Sequence, residues 1–147
     1  MGGDSSHPFV VETATRLRAL GVDVATPDLR DPDVAVATQQ CEAIIADLSG
    51  ARRVVIGYSW GSVVASHAAP DGLVARVLVA PPVSMDVNVD AATPTLVLVP
   101  EHDQYGDLDA TRAAFANVEV LPGEDHFLWG SITTSADRIV DWLRALP

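Results

Sequence analysis

Five short, largely apolar runs along the chain have the length and composition of strands buried in a parallel sheet. Most are separated by longer segments in which apolar positions recur at helical spacing. The predicted strands cover residues 22–25, 54–56, 76–80, 95–99 and 118–121. The predicted helices cover about residues 8–20, 35–48, 62–69, 108–115 and 132–146. This alternation predicts an α/β fold with a parallel sheet and helices on both faces.

The second of these strands runs directly into the sequence GYSWG, which is followed by a helix of small residues. A serine at a sharp turn from strand to helix is the arrangement of a nucleophile elbow. Gly57 and Gly61 are expected to lack bulk so that the strand and the helix can approach Ser59. The backbone N–H of Trp60 is expected to help hold a developing oxyanion. The alternative interpretation is a serine- and glycine-rich turn that only connects two elements.

Three loops that follow predicted strands carry residues with catalytic chemistry. They contain Ser59, Asp103 and His126, and the carboxyl ends of parallel strands gather at one edge of a sheet. A serine hydroxyl needs a base to attack a carbonyl carbon, and an imidazolium needs an anion to orient and stabilise it. We therefore predict Ser59 as the nucleophile, His126 as the base and Asp103 as the acid of a triad.

Other residues compete for two of these roles. The order of the segments along the chain, nucleophile then acid then histidine, favours Asp103 and His126. Glu101 is a weaker candidate because it lies closer to its strand. Among the other histidines, His7 is expected to have a capping or packing role. His67 is assigned to the helix after GYSWG, and His102 is assigned to a loop. The competing acids are Asp107, Asp109, Asp125 and Glu101, and the competing histidines are His7, His67 and His102. None of these residues has H-E-x-x-H or similar spacing, so no metal site is predicted.

Composition narrows the classes of partner. The 147 residues predict one domain, and the net charge of −11 with no arginine cluster larger than Arg52–Arg53 argues against nucleic acid and anionic membranes. Cys41 is the only cysteine, which excludes internal disulfides and a cysteine-rich metal site. No secretory signal or membrane-length apolar run is present, and we predict a cytoplasmic location. The oligomeric state is left open.

The segments GYSWG, EHDQY and GEDHFLWG resemble the three catalytic segments of small, lidless serine α/β-hydrolases related to the dienelactone hydrolase group. The resemblance covers nearly the whole chain, and the HF-x-x-G run that begins at His126 is its most specific part. It implies a hydrolase without a cofactor that forms an acyl-enzyme on Ser59 from a small ester or thioester. It also implies that Gly2 and Gly3 belong to a loop that supplies a second oxyanion N–H.

The chain departs from that family at its start. In such hydrolases a further strand lies between the strands that match residues 22–25 and 54–56, and this sequence begins at the loop that follows it. Either upstream sequence precedes Met1, so that the domain is N-terminally truncated, or the two flanking strands pair directly. We predict the first. The rival functions are a non-catalytic interaction or scaffold protein of hydrolase shape and a flavodoxin-like ligand-binding domain.

Aromatic residues surround the predicted triad in the sequence. Tyr58, Phe127 and Trp129 are predicted to contact a small acyl substrate, and ordinary core packing is the alternative for them. The predicted loop of residues 83–94 occupies the place where larger hydrolases insert a lid. It is too short for a helical cap, so an open cleft for small or extended substrates is expected.

Overall fold

Four parallel strands form a single sheet in the computed structural model, which describes residues 4–147. The strands lie side by side in chain order: β1 Arg53–Tyr58, β2 Leu73–Val79, β3 Thr95–Pro100 and β4 Val118–Leu121. The helices are α1 Pro8–Ala19, α2 Val34–Ala46, α3 Trp60–His67, α4 Leu108–Ala114 and α5 Ile132–Ala145. The predicted α/β fold and the five predicted helices are confirmed.

Apolar side chains from both faces of the sheet explain the continuous apolar runs in β2 and β3. Successive residues of a strand point to opposite faces, so Leu78 packs toward α2 and α3 while Val77 packs with residues of α1 and α5. Both side chains are fully buried. Burial of a side chain of this size contributes roughly 1.5–3 kcal/mol to the free energy of unfolding. The apolar clusters on the two faces of the sheet are therefore the main stabilising feature of the domain.

Two helices begin at residues that satisfy their free backbone N–H groups. The Nδ1 atom of His7 accepts a hydrogen bond from the N–H of Phe9 at 3.2 Å, at the start of α1. Asp33 accepts from the N–H groups of Ala35 and Val36 at the start of α2. Such caps are worth about 1 kcal/mol each, and the capping role predicted for His7 is confirmed.

The strand predicted at residues 22–25 is wrong. These residues have no strand conformation in the structure, and β1 pairs only with β2 among the described residues. A cavity of about 780 Å³ separates this segment from β1 and is lined by both. Direct pairing of the two, the second alternative above, is therefore also wrong. A segment without a neighbouring strand has no partners with which its backbone groups could form a sheet.

A buried arginine fastens the long loop that follows β2. Arg76 is 4% exposed within β2, and its guanidinium contacts an Asp90 carboxylate oxygen and the Ala68 carbonyl oxygen, each at 2.8 Å. The hydrogen bond from Arg76 is the largest cause that lowers the pKa of Asp90 to about 2. Residues 83–94 therefore have defined contacts although they form no helix or strand.

Within residues 4–147, no helix combines the length and apolarity needed to cross a bilayer.

Candidate active site

Ser59 occupies a strained turn between β1 and α3. Its φ is 51° and its ψ is −120°, a backbone conformation that L-residues rarely adopt and that recurs at functional turns. A Cβ added at Gly57 would overlap the carbonyl group of Gly61 and come within 2.6 Å of the Cα of Ser62. The predicted need for glycine at position 57 is confirmed. The same expectation for Gly61 is wrong, because a Cβ there meets nothing within 4 Å.

A continuous chain of hydrogen bonds joins the three residues predicted from the loops. The Nε2 atom of His126 lies 2.8 Å from the Ser59 Oγ, and its Nδ1 atom lies 2.9 and 3.0 Å from the two carboxylate oxygens of Asp103. Ser59 follows β1, Asp103 follows β3 and His126 follows β4. The three strands deliver these side chains to one edge of the sheet, as parallel strands do at their carboxyl ends.

Burial and hydrogen bonding fix the tautomer of the imidazole. The side chains of His126 and Asp103 are 7% and 3% exposed. An ionised carboxylate can only accept hydrogen bonds, so Nδ1 carries the proton of the neutral imidazole and donates it to Asp103. The Nε2 atom is then the acceptor of the Ser59 hydroxyl proton. This is the protonation state in which a histidine can act as a base.

The competing acids have contacts elsewhere. Glu101 accepts a hydrogen bond from the N–H of Gly123 at 2.7 Å. Asp107 caps α4 through the N–H of Ala110, and Asp125 accepts from the N–H of Phe127. Asp109 lies exposed in the first turn of α4. Of these carboxylates only that of Asp103 is hydrogen-bonded to the His126 ring.

The competing histidines are likewise engaged away from Ser59. The Nε2 atom of His67 lies 2.7 Å from the Asp86 carbonyl oxygen, which ties α3 to the loop after β2. The exposed His102 lies 3.8 Å from a carboxylate oxygen of Glu101. Neither histidine has a hydrogen bond to Ser59 in the described chain.

Sequence reasoning missed two residues that support the site. The side-chain Oε1 of Gln104 accepts from the N–H of His126 at 3.4 Å, and the N–H of Tyr105 donates to Asp103 Oδ1 at 2.9 Å. The Tyr105 ring also packs edge-on against the His126 ring, with centroids 4.9 Å apart. The available signal was their position in EHDQY, the same short turn that holds Asp103.

Tyr58 contacts the base through its hydroxyl. The hydroxyl donates to the backbone carbonyl oxygen of His126 at 2.7 Å, and the two rings lie 5.6 Å apart. Burial is the largest cause that raises the pKa of Tyr58 to about 12, with the nearby Asp103 and Asp125 charges adding to it. The hydroxyl therefore stays protonated and available as a donor. Its contact is with the loop that carries His126, whereas the sequence predicted a contact with substrate.

The Tyr58→Phe variant is expected to lower kcat by about fivefold to tenfold with little change in KM, since one neutral hydrogen bond is worth about 1 kcal/mol. The loss removes a tether of the His126 loop and leaves the packing of the ring in place. Steady-state kinetics on an activated ester measure it, with Tyr105→Phe as the matched control because the Tyr105 side chain is exposed. A larger effect on KM than on kcat would return Tyr58 to the substrate-contact role.

Two exposed aromatic side chains pack against histidine rings. Phe127 is 39% exposed with its ring edge against His126, and Trp129 is 63% exposed and stacks on His7 at 5.5 Å. Burial lowers the pKa of His7, so its ring stays neutral above that lowered value and forms an uncharged surface. Exposed aromatic faces of this kind commonly serve binding.

Two of the predicted oxyanion donors fall outside the described residues, namely Gly2 and Gly3. The third, Trp60, is the first residue of α3, where backbone N–H groups have no partner within the helix. Its indole is buried in the core on the α2 and α3 side of the sheet.

Within residues 4–147, no group of three or more His, Cys, Asp or Glu side chains could hold a metal ion.

Comparison with known proteins places this geometry in a class. The model of the alpha/beta hydrolase family matches residues 2–94, a range that includes Ser59. The chain therefore belongs to the alpha/beta hydrolase family. No curated protein matches it significantly.

Solved structures share the fold at low sequence identity. An alpha/beta-superfamily protein from Xanthomonas campestris pv. campestris superimposes with a TM-score of 0.78 at 21% identity, covering 95% of this chain and 91% of that one. An alpha-beta serine hydrolase homologue from Coxiella burnetii gives 0.75 at 20% identity, with 96% and 78% covered. An α/β serine hydrolase without a lid from Xanthomonas campestris gives 0.69 at 18% identity, with 99% and 77% covered.

Proposed function

We propose that the protein is a serine hydrolase that cleaves a small ester or thioester through an acyl-enzyme on Ser59. The observation that carries the proposal is the unbroken hydrogen-bond chain from Ser59 Oγ through His126 to Asp103. A hydroxyl, an imidazole in the basic tautomer and a buried carboxylate are the parts that nucleophilic catalysis of acyl transfer requires.

The proposed reaction has two halves. His126 Nε2 takes the hydroxyl proton as Ser59 Oγ attacks the carbonyl carbon, and the imidazolium then gives that proton to the departing alcohol or thiol. Water next attacks the acyl-enzyme, again giving its proton to His126, and the acid product leaves as Ser59 regains its hydrogen. Asp103 stays ionised throughout and stabilises the imidazolium in each half.

The negative charge that develops on the carbonyl oxygen needs donors. We assign one to the backbone N–H of Trp60, which follows the nucleophile at the start of α3, and Gly2 or Gly3 remains the proposed source of a second. Preorganised donors of this type contribute about 3–4 kcal/mol each to the stabilisation of the transition state. No cofactor takes part in the proposed reaction.

The proposed substrate is a small acyl compound that binds beside exposed aromatic side chains. Phe127 and Trp129 are the proposed substrate contacts, because both are exposed and they pack against His126 and His7, respectively. The loop of residues 83–94, which has no helix, is hydrogen-bonded to α3 through Asn88 and Ser66.

The relation to the dienelactone hydrolase group and the cytoplasmic location stay predictions from the sequence.

Covalent labelling by a fluorophosphonate probe tests the proposal. The protein is expected to gain one phosphonyl group, seen by intact-protein mass spectrometry, and Ser59→Ala is expected to gain none. Ser84→Ala is the matched control, because Ser84 is an exposed serine in the loop after β2. The Ser59→Ala variant is also expected to lower kcat for ester hydrolysis by about six orders of magnitude.

A non-catalytic interaction or scaffold role is the second candidate, and it is favoured by the edge of β1 that pairs with no strand among residues 4–147. That edge offers a surface for another polypeptide without requiring Ser59 to react. Well-folded protein that resists the probe, with a sharp thermal transition, would support this candidate and overturn the hydrolase. A panel of p-nitrophenyl esters of increasing chain length then measures the acyl preference of an active protein.

A further inference from the structure

Two exposed aromatic rings pack against the imidazole of the proposed base. The ring centroids of Tyr105 and Phe127 lie 4.9 and 5.8 Å from that of His126, and the two side chains are 58% and 39% exposed. In the proposed reaction the imidazolium gives its proton to the departing atom, so the leaving group must lie beside this imidazole. The two rings therefore border the place of the leaving group.

Charge is distributed unevenly around this place. The loops that follow β2, β3 and β4 begin at the edge of the sheet that holds the triad, and they comprise residues 80–94, 101–107 and 122–131. Together these loops contain seven aspartate and glutamate side chains and no arginine. The nine basic residues of the chain are all arginines, and all of them lie outside the three loops. The catalytic edge therefore carries negative charge that its own loops do not neutralise.

Pairing with arginines from elsewhere leaves this charge in place near the triad. Arg76 pairs with Asp90 at 2.8 Å, but it is in register with Thr95, the first residue of β3, and so lies toward the other edge of the sheet. The exposed carboxylates of the loops after β3 and β4 are paired with no arginine among residues 4–147, and they are Glu101, Asp107 and Asp125.

Asp125 brings this charge next to the base. It directly precedes His126 in the chain and is exposed, and its Oδ1 accepts a hydrogen bond from the N–H of Phe127 at 2.9 Å. Burial is the largest cause that raises the pKa of Tyr58, and the negative charges of Asp103 and Asp125 add to it. The field of Asp125 therefore reaches a hydroxyl that is hydrogen-bonded to the backbone of His126.

We propose that the leaving group of the substrate carries an ammonium group, so that the protein hydrolyses esters or thioesters of cationic amino alcohols or amino thiols. This inference rests on the proposed function and names its substrate class. The ring faces of Tyr105 and Phe127 and the carboxylate of Asp125 all attract a cation. An uncharged leaving group would gain from the rings alone. A leaving group that carries carboxylate or phosphate would meet like charge, with no arginine in the three loops to receive it.

Three acetyl thioesters that differ in charge test the proposal. Acetylthiocholine carries a trimethylammonium group, S-(3,3-dimethylbutyl) thioacetate has an uncharged tert-butyl group of nearly the same shape, and 3-(acetylthio)propionate carries a carboxylate. Each kcat/KM, measured by thiol release at pH 8, is divided by the rate with hydroxylamine, an uncharged nucleophile, to remove differences in intrinsic reactivity. The corrected value is expected to be about tenfold higher for the cationic than for the uncharged thioester, and lowest for the anionic one.

Variants locate the origin of this preference. Asp125→Asn removes the charge and keeps the oxygen that accepts from Phe127, and it is expected to lower the cationic-to-uncharged ratio by about threefold to fivefold. Phe127→Leu removes an aromatic face and is expected to lower the ratio by about threefold. Asp71→Asn is the matched control, because Asp71 is exposed and precedes β2 at the opposite edge of the sheet. A purely structural defect would change both rates alike and leave the ratio unaltered.

Salt supplies a further readout. Added sodium chloride screens exposed charges, so it is expected to lower the ratio in the unaltered protein and to change it less in Asp125→Asn. If Phe127→Leu fails to fold, Asp125→Asn and the salt dependence decide.

Equal corrected rates for the cationic and uncharged thioesters would overturn the proposal. A ratio that stays unchanged in both Asp125→Asn and Phe127→Leu would also overturn it, because the attraction would then arise elsewhere. If Ser59 reacts with the fluorophosphonate probe but the protein shows no cationic preference, or turns over none of the three thioesters, this inference alone fails. Absence of both labelling and turnover would overturn the proposed function with it.

Discussion

Replacing Asp103 with asparagine is expected to lower kcat by about four orders of magnitude while the protein stays folded. In the structure both carboxylate oxygens of Asp103 lie within 3.0 Å of the His126 Nδ1 atom. An asparagine amide group can turn its NH₂ toward Nδ1, which forces the imidazole proton onto Nε2. His126 then donates to Ser59 and can no longer accept its proton.

The Asp103→Asn measurement needs a control for the removal of a negative charge. Glu101→Gln is the matched variant, because Glu101 lies in the same loop and its hydrogen bond from Gly123 can be kept by the glutamine oxygen. Hydrolysis of an activated ester and the rate of fluorophosphonate labelling are expected to fall together in Asp103→Asn alone. Activity of Asp103→Asn within tenfold of the unaltered protein would remove Asp103 from the mechanism.

The placement of the three reactive loops could be predicted because it depends on local patterns. Apolar runs mark the strands, and the residue types that follow β1, β3 and β4 are read directly from the sequence. The parallel arrangement then brings those loops to one edge whatever the distance between them along the chain. Ser59 and His126, 67 positions apart, meet for this reason.

Two of the contacts that sequence reasoning missed join residues of different segments. The Tyr58 hydroxyl reaches the His126 carbonyl oxygen across 68 positions, and nothing in GYSWG distinguishes such a donor from a substrate contact. The sequence around Arg76 gives no sign that its guanidinium is buried against Asp90. Hydrogen bonds of this kind become visible only once the strands and loops are placed.

The strand wrongly predicted at residues 22–25 has a different cause. The composition of the segment suits a strand, but strand conformation requires a partner for its backbone groups. The cavity beside β1 separates the segment from β1, so the segment has no strand to pair with among residues 4–147. The composition of the segment therefore favours a strand, but no pairing partner is present for it among the described residues.

The Gly57→Ala variant is expected to reduce the free energy of unfolding by about 3 kcal/mol or more, and with it the population of active protein. The added Cβ would overlap the Gly61 carbonyl group and approach the Ser62 Cα to 2.6 Å. Both are backbone atoms of α3, so no rotation of a side chain can relieve the overlap. The strand and the helix must separate, and Ser59 lies in the turn between them.

Gly61→Ala tests whether this cost arises from the close approach or from the motif as a whole. A Cβ at Gly61 meets nothing within 4 Å, and alanine is favoured over glycine in a helix by about 1 kcal/mol. Urea unfolding followed by circular dichroism should therefore give Gly61→Ala an unchanged or slightly higher midpoint and Gly57→Ala a much lower one. If the two variants are destabilised equally, the turn as a whole requires both glycines. The close approach of α3 to β1 then does not explain the requirement at position 57.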